Sequence, residues 1–243
     1  VKLVAMGDLF KEQLEKSRKQ LSTVEGGTVE DARAFVGLDA YKNVVDSDAE
    51  VILLATPPGF RPAHFEYAVR QGKHCFVEKP VAVDPVGVRK FIEIGKIASE
   101  KKLAVVAGTQ YRHQKSFVET IKRIHDGQIG EVLGGRAYYN ANTPWTKRRK
   151  PEWSEMEWQI RMWIHYDWLS GDQPVEQHIH TLDVTDWAMN ARPVKAVATG
   201  GRQVRGEPLI GNVYDHFTID YEYPNGRHVM SMCRQLANTS SHV

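Results

Sequence analysis

The chain has 243 residues, 42% hydrophobic and 26% charged, with a formal net charge of +2. That length holds one large core or two modest ones, and so mild a charge argues against a nucleic-acid partner, which asks for a strongly basic face. Cys75 and Cys233 lack CxxC spacing, so stability is not expected to rest on disulfides, and the longest apolar stretch, Val51 to Ala55, is far too short to span a bilayer.

In chain order, Val1 to Asp8 reads as a buried strand ending in an acid, followed by a charged helix from about Phe10 to Leu21. Val44-Val45 closes a short helix. Val51 to Thr56 is a continuous apolar run suited to a strand covered on both faces, and Pro57-Pro58-Gly59 stops it. Pro62 suits the first turn of the next helix, with Phe65, Ala68 and Val69 at helical spacing and Gly72 beyond its end. His74 to Val77 is the next strand. Asp84 caps a helix with Pro85 in its first turn; Val88, Phe91, Ile92 and Gly95 are expected to face the sheet, and Lys101-Lys102 to complement the helix's C-terminal dipole. Leu103 to Ala107 is another strand. Strand, helix, strand, helix, strand at this spacing is a parallel, right-handed crossover sheet, a Rossmann-like half.

From about Gln110 the pattern changes. A helix carries Phe117, Val118, Ile121 and Ile124, then strands are expected over Leu133 to Asn140 and Val194 to Gly200. Alternating Phe217, Ile219, Tyr221 and Tyr223 lead to a turn at Pro224-Asn225-Gly226, and His228 to Arg234 returns as a strand. The fold class is therefore α/β, a Rossmann-like parallel sheet over residues 1–109, then an α+β domain with a mostly antiparallel open sheet over 110–243. Between its strands lies a loop-rich stretch holding Trp145, Trp153, Trp158, Trp163 and Trp168. The basic run Lys147 to Lys150 reads as a solvated loop, with a phosphate or acidic-substrate contact as the alternative.

Four places can carry chemistry, three of them in the first half. Asp8, at a strand's carboxyl end, can accept hydrogen bonds from an adenosine ribose, and its charge would repel the 2′-phosphate of NADP, favouring NAD; a helix N-cap or surface acid is the alternative. A G-x-G-x-x-G loop belongs about 20 residues before such an acid, and only Val1 to Gly7 precede it. Thr56, Pro57 and His64 follow the Val51 strand, in the crevice where a nicotinamide would lie, or are a strand-stop turn and a helix-surface histidine. Glu78-Lys79-Pro80 sets a lysine at the carboxyl end of a buried strand.

The distal cluster runs from Glu176 to Asp183. In a helix, Glu176, His180 and Asp183 share a face, so a carboxylate can orient the imidazole and stabilise its protonated form. Were the segment extended, Glu176, His178 and His180 would share a strand face as a three-ligand metal site; Leu182, Val184 and Trp187 favour the helix, and no metal is assigned.

These residues resemble the glucose-fructose oxidoreductase and inositol dehydrogenase (Gfo/Idh/MocA) family, over nearly the whole chain: the Asp8 strand, Ala55-Thr56-Pro57-Pro58 with His64 beyond, Glu78-Lys79-Pro80, Gly108 to Arg112, and the distal motif. In that motif Glu176 stands for the family's aspartate and His178 for its glycine, while His180 and Asp183 match. The resemblance implies an N-terminal NAD(P)-binding domain, a C-terminal sheet that often forms a homo-oligomer interface, and a sugar or cyclitol substrate. It implies catalytic Lys79, Glu176 and His180, cofactor contacts from Asp8, Thr56, Pro57, His64, Glu78 and Lys79, substrate contacts from Arg112, Trp163, Tyr166 and Asp183, and a cis Lys79-Pro80 peptide. Trp163, Tyr166 and Gly171-Asp172 are similar to the branch with exported, polysaccharide-processing members. Three activities remain open: a dehydrogenase, a redox-neutral NAD-dependent glycosidase, and a silent NAD-binding regulator. Against the family pattern the chain reads as truncated at both ends, so the compartment stays open, cytoplasmic by default.

Overall fold

A computed structural model describes residues 1–205 and 211–243, and the chain divides into two compact units, Val1–Gly108 and Thr109–Val243. In the first, β1 (Met6–Asp8) and β2 (Ala34–Val36) pair in parallel, joined through α1 (Lys11–Leu21). After α2 (Ala40–Val45) come β3 (Val51–Leu54), α3 (Arg61–Arg70), β4 (His74–Val77), α4 (Pro85–Glu100) and β5 (Val105–Ala107). Those three strands form a parallel sheet in the order β3-β4-β5. The first strand is shorter than its apolar run, because the backbone before it turns elsewhere: Leu3 N–H donates to Gly26 O at 2.8 Å.

The core of this unit is one apolar cluster built on Ile52, Leu54, Phe65, Val69, Val77 and Ile94. Phe65 is fully buried and stacks on Phe91 with centroids 4.1 Å apart. That contact fixes the rotation of α4. Ile94 and Ala98 turn inward, while Val88 and Ile92, expected on the sheet side, are 41% and 54% exposed. Asp84 caps α4 by accepting from Gly87 N–H at 2.6 Å. Lys101, expected to serve its own helix end, instead donates from Nζ to Val69 O and Arg70 O, at 3.1 and 2.9 Å, and so caps α3.

The second unit runs α5 (Lys115–His125), β6 (Gly134–Ala141), α6 (Glu155–Arg161), α7 (Asp167–Ser170), α8 (Asp172–Glu176), α9 (Ile179–Met189), β7 (Lys195–Gly201), β8 (His216–Tyr223) and β9 (Arg227–Gln235). Its sheet has the order β6-β9-β8-β7, with β6 parallel to β9 and the other two pairings antiparallel. Ala137, Tyr223 and Val229 on one face pack with Met189 of α9. The other face leaves Val197, Met230 and Met232 exposed.

The tryptophan-rich stretch is more helical than its composition implies. Ser154 starts α6 as its N-cap, its Oγ accepting from Glu157 N–H at 3.1 Å. The basic run folds back on local partners: Arg149 pairs with Glu155 at 2.8 Å, and Lys147 and Lys150 lie over Trp145 and Trp153. Among the described residues, no helix is long and apolar enough to cross a membrane.

Candidate functional site

In the first unit the candidate residues gather at the carboxyl ends of parallel strands, where open α/β sheets bind ligands. Asp8 ends β1, half-buried, and its Oδ1 accepts the Phe10 N–H at 2.8 Å, which orders the entry to α1. Thr56 and Pro57 follow β3, and Glu78-Lys79-Pro80 follows β4 with the Lys79–Pro80 peptide cis. Arg61, absent from the sequence reading, joins the last two. Its guanidinium is 5% exposed and donates from Nε to Thr56 O at 2.7 Å, and from Nη1 to Glu78 O and Pro80 O at 2.9 and 2.6 Å. A buried cation needs such acceptors, and here they are the carbonyls on either side of Lys79.

Two further contacts tighten this corner. Glu78 Oε2 accepts from Lys79 N–H at 3.2 Å, and it occupies the space where a Cβ on Gly108 would meet it at 2.6 Å. A larger residue at Gly108 would push the Glu78 carboxylate out of this position. His64 is buried instead of lying on the helix surface: its Nδ1 is 3.2 Å from Thr56 Oγ1 and its ring stacks on Tyr41 at 3.9 Å. Burial lowers its pKa to about 4, so it is neutral at pH 7 and braces the Thr56 turn without charge.

In the second unit the distal cluster is helical but broken. Glu176 ends α8, Gln177 interrupts, and α9 begins at Ile179, so Glu176 and His180 do not share the single helical face their spacing implies. Asp183 does not orient the imidazole either. Its Oδ2 and Oδ1 accept from Arg112 Nε and Nη2 at 2.8 and 2.9 Å, and the guanidinium lies 4.8 Å from the Trp187 ring centroid. The two expected substrate contacts, Arg112 and Asp183, are thus brought together as a bidentate pair.

His180 is half-buried, its ring tilted against Tyr111 at 5.3 Å, and Tyr111 stacks on Phe117 at 4.5 Å. Glu176 is 8% exposed. Burial raises the pKa of Tyr139, on β6, and the charges of Tyr111 and Glu176 add to the effect, which puts these groups within electrostatic reach of one another. Tyr111 and Tyr139 were missed because an aromatic in a strand or loop carries no periodic signal. Trp163 and Tyr166 flank a single 3-10 turn, Trp163–His165, both half-buried, and burial raises the Tyr166 pKa. Among the described residues no three His, Cys, Asp or Glu side chains are placed to hold a metal.

Both units match known families along nearly their whole length. Residues 3–109 match the oxidoreductase family with an NAD-binding Rossmann fold, and residues 117–242 match the GFO/IDH/MocA C-terminal domain. The chain belongs to the GFO/IDH/MocA oxidoreductase family. It is 24% identical over 179 residues to the 2,7-anhydro-N-acetylneuraminate hydratase of Escherichia coli (strain K12), covering 73% of this chain and 44% of that protein. It is 27% identical over 182 residues to the inositol 2-dehydrogenase of Rhizobium meliloti (strain 1021), covering 75% and 48%. The crystal structure of scyllo-inositol dehydrogenase from Lactobacillus casei, with bound NAD(H) and scyllo-inositol, shares the fold at a TM-score of 0.72 and 18% identity, covering 99% of this chain and 64% of that one. The chain spans about half the length of the curated relatives it matches.

NAD is the cofactor of this GFO/IDH/MocA fold. The residues present fit its two sugar-bearing ends unequally. A half-buried carboxylate at the end of β1 suits a ribose diol, and the Thr56-Pro57 turn with Lys79 suits the nicotinamide end. The residues of this chain include no G-x-G-x-x-G, so none of them forms the usual pyrophosphate cradle.

Proposed function

We propose that this GFO/IDH/MocA chain carries the site of an NAD-dependent oxidoreductase acting on a secondary hydroxyl of a sugar, glycoside or cyclitol. The observation that carries the reading is Lys79, held at the carboxyl end of β4 in an NAD-binding fold with both flanking carbonyls bonded to Arg61. Asp8 would hold the adenosine ribose, and Thr56, Pro57, His64 and Glu78 would shape the nicotinamide end. When bound, NAD accepts a hydride from the substrate carbon. In the second unit His180 takes the hydroxyl proton and Glu176 supplies the negative charge that favours the protonated imidazole; in the first, Lys79 supplies a positive charge beside the nicotinamide end. Arg112, Trp163, Tyr166 and Asp183 are the proposed substrate contacts.

Relatives named inositol 2-dehydrogenase support the cyclitol side of this reading. A relative named as a hydratase favours a second one, since hydration moves no net electrons: the same residues would serve a redox-neutral reaction on a glycoside. A panel of cyclitols, aldoses and aryl glycosides, followed at 340 nm and for released aglycone, separates the two. Lys79→Ala and His180→Ala should each lower turnover about 100- to 10,000-fold, with cofactor affinity little changed. Near-full turnover in either variant overturns the assignment. Self-association through the sheet face bearing Val197, Met230 and Met232 is also proposed, and Met230→Lys with Met232→Lys should then yield monomers in sedimentation.

A further inference from the structure

We propose that His178 is a positioning residue: through Ser231 and Thr181 it sets the direction in which α9 presents His180. Met189, at the last position, is the one buried residue of α9, so no apolar stripe along the helix decides how its start is rotated. That task falls to polar ties. One is Arg112 to Asp183; another is Tyr223 Oη donating to Asp186 Oδ1 at 2.5 Å. Both act on the middle of the helix. The tie at its start, two residues from His180, is His178, which is 0% exposed.

The ring bridges two hydroxyls. Nε2 lies 2.5 Å from Ser231 Oγ on β9 and Nδ1 lies 2.7 Å from Thr181 Oγ1. Thr181 Oγ1 also donates to His178 O at 3.1 Å, which uses its single proton. Thr181 must therefore accept from Nδ1–H, and Ser231 must donate to Nε2. With the ring neutral, all three bonds are made only by the Nδ1–H tautomer. Burial suits that form, holding the pKa to about 4. A glycine, which the family pattern has here, would leave Ser231 without this acceptor and the start of α9 tied to β9 only through Gln177 and Gln235.

The proposal rests on the acid–base reading of His180, and the test separates the two. Long-range 1H–15N spectra of the 243-residue chain should show His178 as the Nδ1–H tautomer with no titration between pH 5 and 8. Ser231→Ala and His178→Gly should shift the titration midpoint of the His180 ring and lower turnover about 10- to 100-fold at unchanged KM for NAD, with the pH profile displaced, while Ser231→Thr keeps the wild-type values. An Nε2–H tautomer, or folded Ser231→Ala protein whose His180 titration and pH profile match wild type, overturns it. Should His180→Ala remain active, the acid–base reading falls, and the His180 titration in Ser231→Ala still decides the positioning.

Discussion

The two units are held together by different chemistry. Among the described residues, eleven buried side chains form the apolar cluster of the first unit, against Arg61 and His64 as its buried polar groups. In the second, thirteen apolar side chains are buried but only four gather in one cluster, and nine polar or charged side chains are buried among them, from Asn140 to Gln235. The first unit is therefore expected to respond to lost volume and the second to lost hydrogen bonds. Apolar packing tolerates approximate matches in size, whereas a buried polar group left unpaired costs its full desolvation.

The sharpest break of this contrast is Phe65→Ala, which removes a fully buried ring stacked on Phe91 and should cost the first unit about 3–5 kcal/mol in urea unfolding. A cost under 1 kcal/mol would mean the apolar cluster does not carry the unit. Next comes Asp215→Ala. Its buried carboxylate accepts from Gln203 and Val204 N–H, both at 2.7 Å, and from His216 at 2.7 Å. Burial alone would raise its pKa, but these bonds outweigh it and the carboxyl sits low. Stranding those donors should cost the second unit about 3 kcal/mol, with little effect on the first.

Acid should reach both units through their buried histidines. His64 and His178 are each held to about 4 by burial, from an ordinary 6.5. The unfolded chain therefore takes up the protons first. Stability is complete above about pH 6.5 and falls toward pH 4 by about 1.4 kcal/mol per pH unit for each histidine. Melts between pH 4.5 and 7.5 should show this slope, and His178→Gln should reduce it for the second unit alone, where buried His165, also lowered by desolvation, still contributes. The smallest effect expected is Ile92→Ser, within about 0.5 kcal/mol, because that side chain is 54% exposed. A loss of 2 kcal/mol would restore the α4 face expected from its spacing.

The same contrast explains what could be read from the residues. In the first unit, continuous apolar runs bounded by Pro and Gly marked β3, β4 and the helices after them, because burial on both faces leaves that trace. Three-residue β2 is too short to leave one. The α4 stripe was read a step out of phase since Val88 and Ile92 are as apolar as Ile94, and only the Phe65–Phe91 stack chooses between them. In the second unit α6 lies in a stretch read as loop-rich, and the break at Gln177 and the Arg112–Asp183 pair depend on which groups tertiary folding brings near. Lys79 and His180 stood out by position; Arg61 and Tyr111 did not, because an arginine on a helix and a tyrosine in a loop usually mean solvent and packing.

The cap that Lys101 places on α3 bears on the order of folding. Asp84 and Gly87 are neighbours, so α4 can close its own start as soon as its first turn forms. The end of α3 is closed partly by the backbone N–H groups of Gln71, Gly72 and Lys73, which donate to Tyr67, Val69 and Ala68 O, and partly from afar: the ammonium that donates to Val69 O and Arg70 O lies 31 residues beyond Arg70, past β4 and the whole of α4. Closing that loop before the contact is made costs chain entropy that nothing local returns. The ammonium's bonds to Val69 O and Arg70 O can accordingly form only once α4 is complete, so this half of the cap is a late addition to a turn that closes locally first.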